Sequence, residues 1–158
     1  RHMQLLLQAE MDRCQRSGHR FCIALVDLDH FKFINETYGP HVGDEVLKNF
    51  GRHTRMILRE TDVIARWGGE EFLLIMPDTN PSERAKIALE RLPPALSLQT
   101  MSSKAPDLRA TFSAGIAVYH QGETMDQVLD RADRALYQAK EQGRSRTILS
   151  ADDISLGS

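Results

Sequence analysis

Two short acidic stretches carry the chemistry written most plainly in this chain: Asp27-Leu28-Asp29 and Gly68-Gly69-Glu70-Glu71. The first follows an apolar run and the second precedes one, so each is expected at the end of a strand. Side by side, such carboxylates share a small volume, which raises their pKa values or recruits a cation. Hard oxygen ligands favour Mg²⁺ or Mn²⁺, and Mg²⁺ usually keeps waters and binds substrate phosphates. The competing reading of the same residues is a solvated acidic hairpin tip. Gly68 and Gly69 lack Cβ atoms, so a flat ligand or a phosphate can approach the backbone there.

Phosphate-binding groups are available nearby in sequence. A short helix opening after Asp29 leaves the N–H groups of Phe31 and Lys32 without intrahelical acceptors, suited to phosphate oxygens. Lys140 and Arg144 close the last helix and bring positive charge for terminal phosphates. Two basic residues at a helix C-terminus are equally what the helix dipole favours. The chain has neither a P-loop nor a GxGxxG, which excludes Walker and Rossmann sites.

These groups need elements to hold them. Met3–Gln15 has apolar residues at helical spacing, and Phe21–Asp27 is an apolar run expected as a central strand. A long helix is predicted over residues 41–58. Asp62–Trp67 and Glu71–Met76 are predicted as a hairpin joined through Gly68-Gly69. Pro81 is expected to open a helix that Pro93-Pro94 ends, followed by a loop over Leu98–Asp107. Leu108–Tyr119 is predicted as a strand, with Gly115 marking a bulge or a close backbone approach. A last helix from Met125 stops at Gly143, and Arg146–Leu149 forms a short edge strand. A polar tail over residues 151–158 is expected to fray, leaving one domain over residues 1–150. Alternating strands and helices interrupted by a hairpin imply an α/β (α+β) fold with a mixed sheet flanked by helices.

Bulk composition sets the limits. The chain has 158 residues, 41% hydrophobic and 27% charged, which suits one globular domain. Twenty Lys and Arg against 22 Asp and Glu give a formal charge of -2, which argues against bulk nucleic-acid binding. The apolar runs fall far short of the ~20 residues that cross a bilayer, and no signal peptide is visible, so no membrane contact is expected. Cys14 and Cys22 lack metal-ligand spacing and are read as reduced thiols, pointing to a cytoplasmic domain. The first residues read as part of a longer protein.

Five segments in order resemble the GGDEF family of diguanylate cyclase domains. Arg66-Trp67-Gly68-Gly69-Glu70-Glu71-Phe72 resembles the signature in its GGEEF form. Asp27 to Asn35 resembles D-x-D-x-F-K-x-x-N, and Gly39 with Gly43-Asp44 and Leu47 resembles G-H-x-x-G-D-x-x-L. Thr111, Ser113 and Gly115-Ile116-Ala117 resemble T-x-S-x-G-I-A. Asp133, Ala135-Leu136-Tyr137, Ala139-Lys140 and Gly143-Arg144 resemble D-x-A-L-Y-x-A-K-x-x-G-R. One departure is Pro40, which stands where the family usually has His; His41 follows it. The family's D-x-L-T-x-L-x-N-R-R segment would lie just upstream, with Arg1 at its end.

The resemblance implies a fold similar to nucleotidyl cyclases and polymerase palms, with the signature on a β-hairpin. It implies an enzyme that joins two GTP into cyclic di-GMP and two pyrophosphates, using two Mg²⁺ or Mn²⁺ per site. Asp27, the Leu28 carbonyl and Glu70 would bind metal, with Glu71 near them and Glu70 also the general base. Asn35 and Asp44 would read guanine. Gly68, Gly69, the N–H groups of Phe31 and Lys32, Lys140 and Arg144 would hold the remainder of GTP. Two domains must face each other, so a homodimer is implied, along with an N-terminal sensory or regulatory domain. Arg59-Glu60-Thr61-Asp62 resembles the family's R-x-x-D product-inhibition site, with Arg91 or Arg84 as a second arginine; an ordinary ion pair competes with it. A silent cyclic di-GMP receptor and a related purine nucleotide cyclase are the rival functions. The intact signature argues against the first, and Asn35 with Asp44 against an ATP-specific form of the second.

Overall fold

The strand Phe21–Leu28 is buried along its whole length, because helices cover both faces of the sheet it centres. The computed structural model describes residues 2–78 and 82–153. In chain order the elements are α1 (His2–Ser17), β1 (Phe21–Leu28), α2 (Phe31–Tyr38), α3 (Pro40–Ile57), β2 (Val63–Gly68), β3 (Glu71–Pro77), α4 (Ser82–Glu90), α5 (Leu92–Leu96), β4 (Phe112–Val118), α6 (Met125–Glu141) and β5 (Thr147–Leu149), with a closing 3₁₀ turn at Ala151–Asp153. The sheet order is β2-β3-β1-β4-β5. All pairs are antiparallel except β4 with β5, so the sheet is mixed as expected.

Alternation along β1 divides the core. Cys22, Ala24, Val26 and Leu28 face α3, α4 and α5, packing with Val46, Phe50, Leu89 and Leu92. Phe21, Ile23 and Leu25 face α1 and α6, packing with Leu7, Met11, Val128 and Leu136. Burying Met3, Leu7, Met11 and Cys14 at about 1.5–3 kcal/mol for each large side chain docks an α1 that is marginal as an isolated helix. Gly115 sits where α6 crosses β4. A Cβ there would meet Ala132 O at 2.2 Å and Leu136 N at 2.3 Å, so the close approach expected of this glycine is real. α6 begins with a capping box of Thr124 and Gln127 and ends before Gly143, whose φ is 116°.

Four expectations are corrected. β4 begins at Phe112 rather than Leu108; the preceding segment is pinned by the Arg109 guanidinium, which donates to the carbonyls of Ser97, Pro106 and Leu108. Pro93-Pro94 opens α5 instead of ending α4, because proline is tolerated in a first helical turn. The hairpin turn is Gly69-Glu70, since Gly68 remains in β2, and Gly69 supplies the positive φ of 49°. Residues 151–153 do not fray: Asp153 is fully buried and accepts from Val118 N at 2.8 Å and Arg131 Nη1 at 3.0 Å. Pro81 as a helix opener lies outside the described residues.

Candidate active site at the carboxylate edge

The β1 alternation that sends Phe21, Ile23 and Leu25 toward α6 sends Asp27 the same way. Its partners in register are Glu71 on β3 and Ser113 on β4. Leu28 N donates to Glu70 O at 3.3 Å, tying the hairpin turn to the end of β1. The two acidic stretches therefore do meet. Directly opposed like charges on a sheet repel, and burial sharpens the effect. Asp27 is raised above the ordinary carboxylate range by desolvation; the hydrogen bond and charge of Lys140 oppose this, while Glu70 and Asp29 add to it. Glu71 is raised by desolvation first, then by Asp27 and Asp133, with Lys140 opposing.

Lys140, the penultimate residue of α6, donates to Asp27 Oδ2. The other oxygen, Asp27 Oδ1, is buried and has no hydrogen-bond partner. An orphaned carboxylate oxygen beside two more carboxylates fits a hard divalent cation. Among the described residues, however, no three His, Cys, Asp or Glu side chains form a preformed ligand cage. A set completed by the Leu28 carbonyl and waters is consistent with this, and so is mutual repulsion of the carboxylates. Lys140 is thus held on a carboxylate rather than pointing free toward phosphates.

α2 begins at Phe31 with His30 at φ 56° and no side-chain cap, so no capping side chain bonds the first N–H groups, including those of Phe31 and Lys32. Asn35 packs over α3 because residue 43 is glycine: a Cβ there would lie 1.8 Å from Asn35 Oδ1 and 3.2 Å from Phe31 Cζ. Asp44, the residue after Gly43 on α3, is exposed. Arg144 lies beyond α6, in a turn where Arg144 and Ser145 have φ of 65° and 51°. Side chains avoid this region at a cost of roughly 1–2 kcal/mol per residue.

The sequence reading missed the work done by Asp29. It is 4% exposed and accepts from Thr111 Oγ1 at 2.7 Å, Ser113 Oγ at 2.6 Å and Ser145 N at 3.0 Å. The usable signal was two hydroxyl residues with period-2 spacing, Thr111 and Ser113, leading an otherwise apolar strand.

Arg59 and Asp62 face each other past the end of α3. Arg59 Nη2 donates to Asp62 Oδ1 at 3.0 Å and to Pro77 O at 2.8 Å. Hydrogen bonding to Asp62 is the largest cause raising the Arg59 pKa. A cavity of about 370 Å³ adjoins the pair, lined by both Arg84 and Arg91 along with apolar Met76 and Ile87. Cys14 and Cys22 are buried thiols in no disulfide, and burial pushes Cys22 up to about 12. Among the described residues no helix is long and apolar enough to cross a membrane.

The chain is similar to proteins of known family. A family profile described as "Diguanylate cyclase, GGDEF domain" matches residues 1–146. Diguanylate cyclase DgcP of Pseudomonas aeruginosa is 42% identical over 140 residues, covering 89% of this chain and 21% of that protein. The diguanylate cyclase SiaD of the same species, solved in complex with its activator SiaC, is similar with a TM-score of 0.88 at 39% identity, covering 94% of this chain and 57% of that one. The GGDEF domain of DgcB from Caulobacter crescentus, solved in complex with c-di-GMP, gives 0.85 at 29% identity, covering 94% and 88%. The chain spans less than half the length of the curated relatives it matches, 21% of DgcP among them.

Proposed function

Because the chain belongs to the GGDEF family of diguanylate cyclase domains, we propose that it condenses two GTP molecules into cyclic di-GMP and two pyrophosphates at the edge formed by Asp27, Glu70 and Glu71. One observation carries this reading: Asp27 and Glu71 are paired in register, and one Asp27 oxygen is buried without a partner. Two Mg²⁺ or Mn²⁺ ions, held by Asp27, the Leu28 carbonyl and Glu70 with Glu71 adjacent, would neutralise charge on the α-phosphate and lower the pKa of the ribose 3′-hydroxyl.

The chain's own groups do the rest. Glu70 takes the 3′-hydroxyl proton as the oxygen attacks the α-phosphorus in line with departing pyrophosphate. The N–H groups of Phe31 and Lys32 hold phosphate oxygens. Lys140 exchanges Asp27 for the terminal phosphates, and Arg144 joins it. Asn35 and Asp44 bond the guanine edge, and the glycines of the hairpin admit the nucleotide. One site holds one GTP, so two copies face each other to close both bonds. Product binds at Arg59 and Asp62 with Arg91 or Arg84 and inhibits; the c-di-GMP complex of DgcB and the adjoining arginine-lined cavity support this. The catalytic unit occupies residues 1–150, completed by the Asp153 contacts, within a longer cytoplasmic protein carrying an N-terminal regulatory domain.

Incubating the purified domain with GTP and Mg²⁺, then identifying the product by mass, tests the proposal. Cyclic di-GMP is expected. Unchanged GTP, or a cyclic mononucleotide, would overturn it.

A further inference from the structure

We infer that Asp29 is a positioning residue for triphosphate capture: its carboxylate fixes the turn that presents Arg144. The inference rests on the cyclase reading, because it takes Arg144 as a phosphate ligand. Asp29 closes β1 through its backbone N–H, which donates to Thr111 O at 2.9 Å. Its side chain gathers three donors from two further places. Oδ1 accepts from Ser113 Oγ at 2.6 Å, while Oδ2 accepts from Thr111 Oγ1 at 2.7 Å and from Ser145 N at 3.0 Å. One buried carboxylate therefore joins the end of β1, the start of β4 and the turn after α6.

That turn needs an anchor. Arg144 and Ser145 both hold positive φ, at 65° and 51°, a conformation that non-glycine residues avoid. Arg144 N donates to Ala139 O at 2.9 Å, Ser145 N donates to Asp29 Oδ2, and Arg146 Nε donates to Arg144 O at 3.0 Å from within the turn. The first would serve any helix C-terminus. The second is specific to Asp29 and lies immediately beside Arg144. Asp29 differs here from Asp27, two residues earlier: Asp27 has a partnerless buried oxygen, whereas both Asp29 oxygens are engaged by the protein. Ser113 and Thr111 can reorient their hydroxyls to suit an amide, but the Ser145 N–H can only donate. Asp29→Asn can keep the Ser145 bond only with its amide nitrogen turned to Ser113, whose hydroxyl then loses its acceptor, and it puts a neutral, weaker acceptor where the charged one stood.

The test is a thermodynamic cycle read by titration of a non-hydrolysable GTP analogue with Mg²⁺, using wild type, Asp29→Asn, Arg144→Ala and the double variant. Each single change is expected to weaken binding roughly tenfold, and the double variant should bind no more weakly than Arg144→Ala. Amide hydrogen exchange over residues 143–146 should speed up in Asp29→Asn, and KM for GTP should rise while kcat changes little. Should Asp29→Asn fail to fold, Thr111→Val, which removes one Asp29 donor at an exposed position, is expected to shift binding and exchange in the same direction. Multiplying losses in the double variant, or unchanged exchange at residues 143–146, would overturn the inference while leaving the cyclase reading intact. A wild-type protein that binds no GTP analogue would overturn both.

Discussion

Lys140 and Asp27, 113 residues apart in the chain, are hydrogen-bonded partners, the ammonium donating to Oδ2. The contact exists because α6 crosses β4 at Gly115 and ends over the face to which Asp27 points. Lys140 holds the Asp27 pKa down against desolvation. Replacing it with Met is expected to let that pKa rise, so the acid limb of the pH–rate profile shifts to higher pH and KM for GTP increases. A profile whose acid limb stays in place would separate Lys140 from Asp27 in function.

Glu71 is also raised, chiefly by desolvation and Asp27. A carboxyl whose folded pKa exceeds its unfolded value retains a proton over a pH window where the unfolded chain has released it. Stability therefore falls as pH rises through that window, and the penalty persists at neutral pH. Glu71→Gln removes the penalty and one repulsion on Asp27. Its melting temperature is expected to exceed wild type at pH 7.5, with the difference shrinking as pH falls below the folded pKa. Equal melting temperatures at both pH values would show that the opposed pair is not strained.

How much of this was legible in the sequence differs by element. Strands, long helices and the acidic edge follow from period-2 and period-3.6 patterns, and the pairing of Asp27 with Glu71 needed only the hairpin to lie beside β1. Asn35 over Gly43 and Asp29 beneath Ser145 were not legible as contacts. Both depend on how helices settle on the sheet, which no local pattern records. The two prolines were misread because Pro marks the start of a helix as readily as its end. Asp153 was hidden in a polar tail, since nothing local announces that Arg131 waits beneath it.

That last pair yields a stability test. Arg131 is 7% exposed and bonds Asp153 and Glu123. Asp153→Ala leaves a buried guanidinium short of one partner and strands Val118 N. The loss should be about 3 kcal/mol, the low end for a broken buried pair because Glu123 remains. For a domain of this size that is a melting-temperature drop of about 6–12 °C. A drop under about 2 °C would mean the closing turn is ornamental to the fold.

Arg59→Ala removes a charge-assisted contact from the cavity it shares with Arg84 and Arg91. Cyclic di-GMP binding is expected to weaken by about 1.5–3 kcal/mol, roughly ten- to a hundredfold, with turnover at low product nearly unchanged. The fold should hold, because the backbone N–H of residue 59 still donates to Asp62 Oδ2. Calorimetric titration of both proteins with cyclic di-GMP checks this, and equal affinity would reduce Arg59 and Asp62 to a surface ion pair.

If the hairpin-tip carboxylate performs the chemistry, Glu70→Ala abolishes it. Glu70 meets β1 through its backbone carbonyl, which accepts from Leu28 N, so truncating the side chain leaves that anchor in place. Cyclic di-GMP formation from GTP and Mg²⁺ should be measured for wild type and Glu70→Ala side by side, with the melting temperature of each. Product is expected from wild type and none above background from the variant, with melting temperatures within about 2 °C of each other. A folded Glu70→Ala protein that turns over GTP at the wild-type rate would contradict that role.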